Sequence, residues 1–419
     1  MFKKAIKEVA ILTSAIVNTI FYNLSGFSKR KTNRVILGSW SGHKIADNSR
    51  FFLEYIKDND DYEIIWCGRK HLRDSPILDH PNINFVQYNT PKCLYYSLTS
   101  SYAFICNTYR DISTLNLLKG ATIVQLWHGF GLKNTLASKK MSPASKFYYL
   151  LGSGSFEQYH YFISSSDLNT QKMLYTFQNN GITAERIILS GQPKNDFLLT
   201  KNTEQFKQSL KHKYFFKYNI PQDKKIVLYL PTFREQKTFS FGDIDHRCKQ
   251  NLQKILSSND TIIIEKKHFK DKCKKNNQSN NQFTYIIDSD EETQELLLIS
   301  DMLITDYSSC YLEYLLLDRP IIHFAYDFDM YKNSDRGFFF SLEQLAAGPI
   351  TRNLAETLDA IDEQLKEDSY KVQRQQIKQK AMMYDEGKSC QKIINTILKN
   401  AHIQYKLKSQ QGNYQSTKG

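Results

Sequence analysis

The sequence lacks the glycine-rich loops with which many enzymes hold nucleotides, since neither GxxxxGK[ST] nor GxGxxG occurs in it. Without the first motif a P-loop nucleoside triphosphatase is not expected. The Asp, Glu and His residues do not cluster at metal-ligand spacing, so we expect no metal and no other cofactor. Zinc-finger spacing and other nucleic-acid-binding signatures are also missing, and we therefore expect no nucleic acid partner.

The cysteines show no pattern of a disulfide framework, because the seven of them are scattered, odd in number and without any CxxC pair. Such a set is typical of a reduced, cytosolic compartment, where cysteines serve as small buried hydrophobic residues. The apolar stretch at residues 9–22 is interrupted by Thr and Asn, and it is shorter than the roughly 20 residues that cross a bilayer.

The N-terminus nevertheless has the features of a surface-binding helix. Lys3, Lys4 and Lys7 precede the apolar stretch, but no small-x-small cleavage site of a signal peptide follows it. Lys7, Ser14 and Asn18 fall near one helical face, which predicts an amphipathic helix lying on an anionic membrane. An ordinary helix packed on the core is the alternative. The net charge of +13 favours anionic partners in general, whether lipid, nucleic acid or a phosphate-rich substrate.

From residue 33 the sequence alternates short apolar runs with helical patterns, which is typical of parallel sheets covered on both faces. We predict a helix at 49–57 and strands at 34–38, 63–67, 83–88, 102–106, 121–126, 226–230, 261–265, 284–287, 302–305 and 320–325. The fold class is thus α/β, with two doubly wound, Rossmann-like domains facing a cleft and an N-terminal amphipathic helix. A polar, Lys-rich stretch separates the two halves, so the predicted units are 1–30, 31–210, 211–400 and a basic tail at 401–419.

Two short segments carry histidines at or near the predicted ends of strands. In QLWHGFGLKN, His128 begins a glycine-rich loop, where a general base and a purely structural histidine are both plausible. In EKKHF, Lys266, Lys267 and His268 bring cationic groups suited to a transferring phosphoryl group, although an exposed Lys-rich loop would look the same.

Three further segments offer groups for a phosphate or a sugar. GQPKND contains Lys194, for which a solvated turn is the simpler interpretation, and LPTFRE contains Thr232 and Arg234, which an N-cap with a salt bridge would explain equally well. In DMLITDYSSCYLEY, Ser308 and Ser309 stand where a helix begins, and Glu313 follows one turn later. Simple capping by Ser308 is the alternative. Four of the five segments follow predicted strands from both halves, which together indicates a diphosphate site in the cleft.

These segments resemble those of the CDP-glycerol glycerophosphotransferase family, the primases and polymerases of teichoic acid. The resemblance covers residues 37–397 and rests, in order, on WSGHKIADNS, LWHG, GxPxND, YLPTFRE, KxH, ITDYSS, LDRPIIHF, YDFDMY, RGFFF and DEGKSC. It implies a GT-B-like fold, peripheral attachment to the cytoplasmic face of the membrane, and transfer of glycerol phosphate or a similar polyol phosphate with release of CMP.

Carried over residue by residue, the resemblance implies two catalytic histidines, His128 as the base and His268 as the second. It implies donor-binding roles for Trp127, Gly129, Phe130, Gly131, Lys194, Pro231, Thr232, Lys266, Lys267, Ser308, Ser309 and Glu313. The sequence departs from the family with HGFGLK in place of HGTP and with lysine where arginine is common at 194 and 266–267. Arginine and lysine bind phosphate differently, so these departures bear on the identity of the donor.

The expected partners are CDP-glycerol or a related CDP-polyol, a lipid-linked or polymeric acceptor of teichoic-acid or capsule type, and an anionic membrane surface. Two other functions remain compatible with the sequence. A nucleotide-sugar glycosyltransferase would share the two sheets, and a non-catalytic protein that binds a phosphopolymer or a membrane would share the basic charge. Paired histidines argue against the second, since binding alone needs no titratable base.

Overall fold

The computed structural model of the protein describes residues 2–134, 158–177, 181–232, 234, 238–266, 282–330 and 337–397. Within them the chain forms two parallel sheets, of seven and six strands. All pairings inside each sheet are parallel, as expected for buried apolar strands joined by crossover segments.

The first sheet has the strand order β3-β2-β1-β4-β5-β6-β7. Its strands are β1 Lys31–Leu37, β2 Glu63–Gly68, β3 Ile83–Gln87, β4 Ser100–Ile105, β5 Thr122–Gln125, β6 Tyr161–Ser164 and β7 Ile187–Leu189. Five of them match the predicted strands. The other two, β6 and β7, which are four and three residues long, were not predicted.

The second sheet has the order β10-β9-β8-β11-β12-β13. It consists of β8 Lys225–Leu230, β9 Thr261–Lys266, β10 Thr284–Ile287, β11 Met302–Thr305, β12 Ile321–Phe324 and the two-residue β13 Ile350–Thr351, the last of which was not predicted. In each sheet the chain begins at an inner strand, β1 or β8, and adds the next two strands on one side. It then crosses over and adds the remaining strands on the other side, so each sheet is doubly wound. The predicted fold class is confirmed.

Helices cover both sheets. Those of the first half are α1 Phe2–Ser25, α2 Asp47–Ile56, α3 Pro91–Thr99, α4 Asp167–Phe177 and α5 Pro193–Thr200. The second half has α6 Glu204–Tyr218, α7 His246–Ser258, α8 Thr293–Ile299, α9 Cys310–Tyr314, α10 Leu342–Leu345, α11 Leu354–Lys366 and α12 Lys371–Ala381. The loops after β1, β5, β10 and β11, together with the end of β9, border a cleft between the two sheets. We call each sheet with its helices a domain, the first and the second in chain order.

The two domains share packed segments in addition to the connecting chain. The predicted boundary at residue 210 falls inside α6, whose buried side chains share a hydrophobic core with β8 and β11 of the second domain. At the other end, helical residues 389–397 return to the first domain, where Ile393 and Ile397 pack with Val35 and Phe52 of its core. The limits of the domains stay a prediction.

The N-terminal helix α1 orients its faces differently from the expected pattern. Asn18, predicted on the polar face with Lys7 and Ser14, is buried against the protein, and its Oδ1 accepts a 2.9 Å hydrogen bond from the backbone N–H of Asn116. Ser25 likewise accepts from the Lys119 amide at 3.2 Å. The outward side chains include the apolar Ile6, Val9, Ile16, Ile20 and Leu24. Among the described residues, no helix combines the length and hydrophobicity that crossing a membrane would need.

Candidate active site in the cleft between the domains

The loop that carries His128 leaves β5 through an unusual backbone. Trp127 lies in the left-handed region with φ of +55°, which costs a non-glycine residue about 1–2 kcal/mol. The buried side-chain amide of Asn48, at the start of α2, holds this turn. Its Nδ2 donates to the carbonyl oxygens of Leu126 at 2.8 Å and Trp127 at 3.1 Å. Strain that the surroundings enforce at this point fixes the direction of the His128 side chain.

The hydrogen bonds of His128 identify its tautomer. Its Nδ1 lies 3.3 Å from the carbonyl oxygen of Cys106, which can only accept, so Nδ1 carries the proton. Nε2 is then free to take a proton. The ring is reached from the cleft and stacks on Trp127 with ring centroids 4.9 Å apart.

Several groups set the pKa of His128. Surrounding protein lowers it most, Asp47 raises it, and the ammonium groups of Lys194 and Lys172 lower it again. The net effect is a lowered pKa, which keeps the imidazole neutral at physiological pH. A neutral histidine with a free Nε2 on the wall of a cleft can act as a general base.

The opposite wall of the cleft belongs to the second domain and carries the two serines. A Cβ atom on Gly129 would lie 3.0 Å from Ser309 Oγ and 3.3 Å from Glu313 Oε1, so only glycine allows the two walls to approach this closely. Ser308 Oγ accepts a long, 3.5 Å bond from the Cys310 amide, while Ser309 makes no side-chain capping bond to α9. Both side chains line the cleft, as do His128 and Lys266.

Lys194 and Glu313 bridge the two walls. Lys194 Nζ lies 2.6 Å from Glu313 Oε1 and donates to the His128 carbonyl at 3.1 Å, and Gln294 donates to the other Glu313 oxygen at 2.8 Å. Both charged side chains are buried, so the interpretation of Lys194 as a solvated turn residue is wrong. Their predicted contacts with the donor stay predictions. The pair positions the His128 loop against the second domain.

Lys266, the last residue of β9, is differently placed. Its Nζ donates to Thr293 Oγ1 at 2.7 Å, and no described carboxylate lies within ion-pair distance of it. Burial lowers its pKa. A partly desolvated ammonium group on the cleft wall is well suited to meet the phosphates of a ligand.

The cluster after β8 is engaged within the protein. Arg234 donates to Asp327 at 2.6 Å and to Asp306 at 2.8 Å, and Thr232 Oγ1 donates to Asp306 at 2.5 Å. These groups, with Pro231, lie outside the set that lines the cleft. Arg234 therefore belongs to a buried ion pair rather than to the exposed salt bridge considered from the sequence.

The remaining predicted residues divide as follows. Phe130 is buried in the core of the second domain, with its ring 5.9 Å from that of Phe340. Gly131 packs on Ser309, and its carbonyl oxygen accepts from Lys172. Lys267 and His268, for which donor binding and catalysis were predicted, lie outside the described residues.

Sequence reasoning missed three residues of the site, Asp47, Asn48 and Lys172. Asp47, with φ of +55°, lines the cleft and accepts a 2.6 Å bond from the Trp40 indole. Lys172 is buried beneath the His128 loop, and burial lowers its pKa to about 8. The consecutive Asp-Asn just before the helix predicted at 49–57 was the available signal for the first two, since such residues tolerate the left-handed backbone that Asp47 adopts. Nothing in the sequence marks Lys172.

Segments far apart in sequence meet around the cleft. RGFFF pairs with HGFGLK, because the Phe339 amide donates to the Leu132 carbonyl at 2.8 Å and the Asn134 amide to the Gly337 carbonyl at 3.1 Å. DEGKSC meets GQPKND, where Asp385 accepts from the Gln192 amide and the Asn195 side chain, both at 2.8 Å. Within the described residues, no three His, Cys, Asp or Glu side chains converge as a metal site, and the expectation that the reaction needs no metal stays a prediction.

Comparison with known proteins bears on the site as a whole. Residues 20–399 match the family described as CDP-glycerol:poly(glycerophosphate) glycerophosphotransferase. The chain belongs to this family. Membership confirms the family expected from the sequence and the class of enzyme, a glycerophosphotransferase that uses a CDP-linked donor.

Individual members of the family are similar over most of the chain. A teichoic acid poly(glycerol phosphate) polymerase of Bacillus spizizenii is 29% identical over 82% of this chain and 87% of its own length. A teichoic acid glycerol-phosphate transferase of Staphylococcus aureus is 27% identical over 95% of this chain and 100% of its own. The solved structure of the wall teichoic acid polymerase TagF superposes with a TM-score of 0.74 at 25% identity, over 96% of this chain and 98% of that one.

Proposed function

We propose that this family member transfers glycerol phosphate, or a similar polyol phosphate, from a CDP-linked donor to a terminal hydroxyl of a lipid-linked or growing cell-surface polymer, with release of CMP. One observation carries the proposal. The His128–Gly129 loop of the first domain lies against Ser309 and Glu313 of the second, so a neutral base and the serine hydroxyls face one another across the cleft. Relatives named for teichoic acid support an acceptor of that class.

In the proposed reaction the donor lies on the second domain, with its pyrophosphate at Ser308, Ser309 and Lys266. An acceptor hydroxyl enters from the first domain, and its oxygen attacks the phosphorus that carries the polyol. A phosphorus–oxygen bond to the acceptor forms while the bond from the same phosphorus to the bridging oxygen breaks. CMP leaves with the electron pair of that bond.

His128 receives the proton of the attacking hydroxyl on Nε2. Its Nδ1–H continues to donate to Cys106, which keeps the ring oriented as it becomes charged. Asp47 stabilises the imidazolium that results, since its charge raises the pKa of His128. The ammonium group of Lys266 stabilises the charge that builds on the transferring phosphate. The second catalytic histidine expected from the family resemblance, His268, has the same proposed role.

The test is to incubate the protein with labelled CDP-glycerol or UDP-sugars and a glycerol-phosphate primed acceptor. We expect CMP release and a product longer by one or more polyol phosphate units, and turnover with UDP-sugars alone would overturn the proposal. Since the pKa of His128 is below the ordinary value of 6.5, kcat/KM should hold at that pH and fall only at lower pH, as the base becomes protonated. EDTA should leave the rate largely intact.

We also propose that the protein works as a peripheral protein on the cytoplasmic face of the cell membrane. The polar edge of α1 is bonded to the first domain, and Ile16, Ile20 and Leu24 are left on the outer face, next to exposed Phe27 and Lys29. Apolar side chains beside basic ones suit the boundary between acyl chains and anionic headgroups. Deletion of this segment, described below, tests the assignment.

A further inference from the structure

A second concavity opens on the first domain, beside the cleft. Its volume is about 750 Å³, and it lies where β2 and β3 end, among side chains that include Arg69, Lys70, His71, Asp74, Tyr88 and Asn89. We call it the β2–β3 pocket. His71 lines both this pocket and the cleft that contains His128, so the two spaces adjoin. Carboxyl ends of parallel strands are where such sheets bind ligands.

The pocket presents cations that the protein itself does not neutralise. Arg69 and Lys70 are exposed, and neither forms an ion pair with a described carboxylate. The Arg69 guanidinium lies over the Tyr88 ring, 5.2 Å from its centroid, which orients the group while its N–H edges stay available. Asp74 is the one acidic residue among those that line the pocket.

Contacts with a neighbouring turn hold the residues that line the pocket. Trp40, Ser41 and Gly42 all have positive φ, and this left-handed turn brings the Gly42 carbonyl to within 2.8 Å of the Arg69 amide. A Cβ atom on Gly42 would lie 2.7 Å from the Tyr88 ring. His71 contacts the His43 carbonyl at 3.1 Å, and the Tyr88 hydroxyl donates to the Arg110 carbonyl at 2.8 Å. The same turn leads to Asp47 in the cleft.

We infer that the β2–β3 pocket binds a phosphodiester of the acceptor chain, one unit or more behind the hydroxyl that reacts at His128. This inference rests on the proposed function. An acceptor made of polyol phosphates carries a negative charge in every unit, so a chain that reaches His128 from the first domain places a phosphodiester beside Arg69 and Lys70. A planar guanidinium and an ammonium group are the side chains that bind such a group.

The experiment measures acceptor kinetics on water-soluble primers with no phosphodiester, one phosphodiester and several. With the wild-type protein, KM should fall as phosphodiesters are added. In Arg69→Gln/Lys70→Gln, the KM of the longer primers should rise about tenfold or more, since each lost bond to a charged group is worth roughly tenfold in affinity. The neutral primer, the KM for CDP-glycerol and kcat should change little. High salt should likewise reduce the preference of the wild-type protein for primers that carry phosphodiesters.

Arg73→Gln is the matched control, because Arg73 is a nearby exposed arginine that lies over Phe85, outside the pocket. It should behave as wild type. An unchanged KM for the long primers in the double variant would overturn the inference and leave the proposed function standing. An equal rise for the neutral primer would also overturn it, since the effect would then be structural. Absence of transfer by the wild-type protein with every primer would instead overturn the proposed function.

Lipid-linked and water-soluble primers with the same phosphodiester should respond alike; a response confined to the lipid-linked primer would assign the pocket to the lipid carrier and overturn the inference.

Discussion

At the end of β8, Arg234 is buried between Asp306 and Asp327, whereas at the end of β9, Lys266 contacts the hydroxyl of Thr293 and lines the cleft. Both cations follow apolar strands of the same sheet, and the sequence suggested a phosphate contact for each. They differ in what comes from elsewhere in the chain. Two carboxylates, one after β11 and one after β12, reach Arg234, and no described carboxylate pairs with Lys266.

The same division runs through the whole site. Lys194, Glu313, Thr232 and Arg234 are bonded to charged protein groups, although Lys194 and Glu313 also border the cleft. His128, Lys266, Ser308 and Ser309 line the cleft without an ion-pair partner among the described residues. Charged groups that satisfy one another inside a protein chiefly hold the fold, and those facing a cleft are available to a ligand. Changes in the first set should therefore affect stability, and changes in the second set should affect activity.

The largest effect is expected from His128→Ala. Loss of the general base should lower kcat by about 10²–10⁴-fold, while the dissociation constant of CDP-glycerol changes only slightly. Steady-state kinetics with calorimetric titration of the donor measures both. His80→Ala, which removes a half-buried histidine beside Asp58 and outside the cleft lining, is the control and should retain full activity. Near-normal turnover of a folded His128→Ala protein would remove this residue from the role of base.

Arg234→Met tests a cation that is neutralised inside the protein. It leaves Asp306 and Asp327 buried without their cation, so the free energy of unfolding should fall by about 3–5 kcal/mol. Denaturant unfolding measures this change. Arg352→Met, in which an exposed pair with Glu343 is lost, should change it by less than about 1 kcal/mol. If Arg234→Met kept its stability and lost only donor affinity, the division between bonded and open groups would fail.

Ser308→Ala/Ser309→Ala should have a smaller effect, on donor binding. Removal of two hydroxyls that face the pyrophosphate should weaken CDP-glycerol binding by about tenfold, as expected for one or two hydrogen bonds to a charged group. Lys266→Gln should act in the same direction. Calorimetry measures the affinity, and the thermal midpoint should stay close to that of wild type. Unchanged affinity with lowered stability would assign the serines to the start of α9 instead.

The smallest effect on catalysis is expected from deletion of residues 1–30. The truncated protein should lose binding to anionic vesicles, to which apolar burial and about 1 kcal/mol per basic residue contribute, and should keep its rate on a water-soluble acceptor. Co-sedimentation at low and high salt measures the binding. Ile16→Ser/Ile20→Ser, on the outer face of α1, is a milder variant that leaves the bonded face intact. Equal vesicle binding by the truncated and full-length proteins would contradict the membrane proposal.

The sequence by itself determined the fold class and most strands, because short, continuous apolar runs leave few alternatives to a buried parallel strand. It also placed His128, Ser308 and Ser309 correctly on the cleft, since each stands just beyond a strand end in a sheet whose strand ends converge. The membership in the family could be predicted too, from the order of many short segments.

Only the tertiary structure decided which polar groups are open to a ligand. Whether Arg234 or Lys266 is neutralised depends on carboxylates tens of residues away in the chain, and the burial of Lys194 depends on Glu313 across the cleft. The left-handed turn at Trp40–Gly42 and the outward apolar face of α1 were likewise invisible, because local patterns give the period of a helix or strand but not what packs against it. Which charged side chains pair depends on which of them the fold brings together, and residues that pair can be far apart in the sequence.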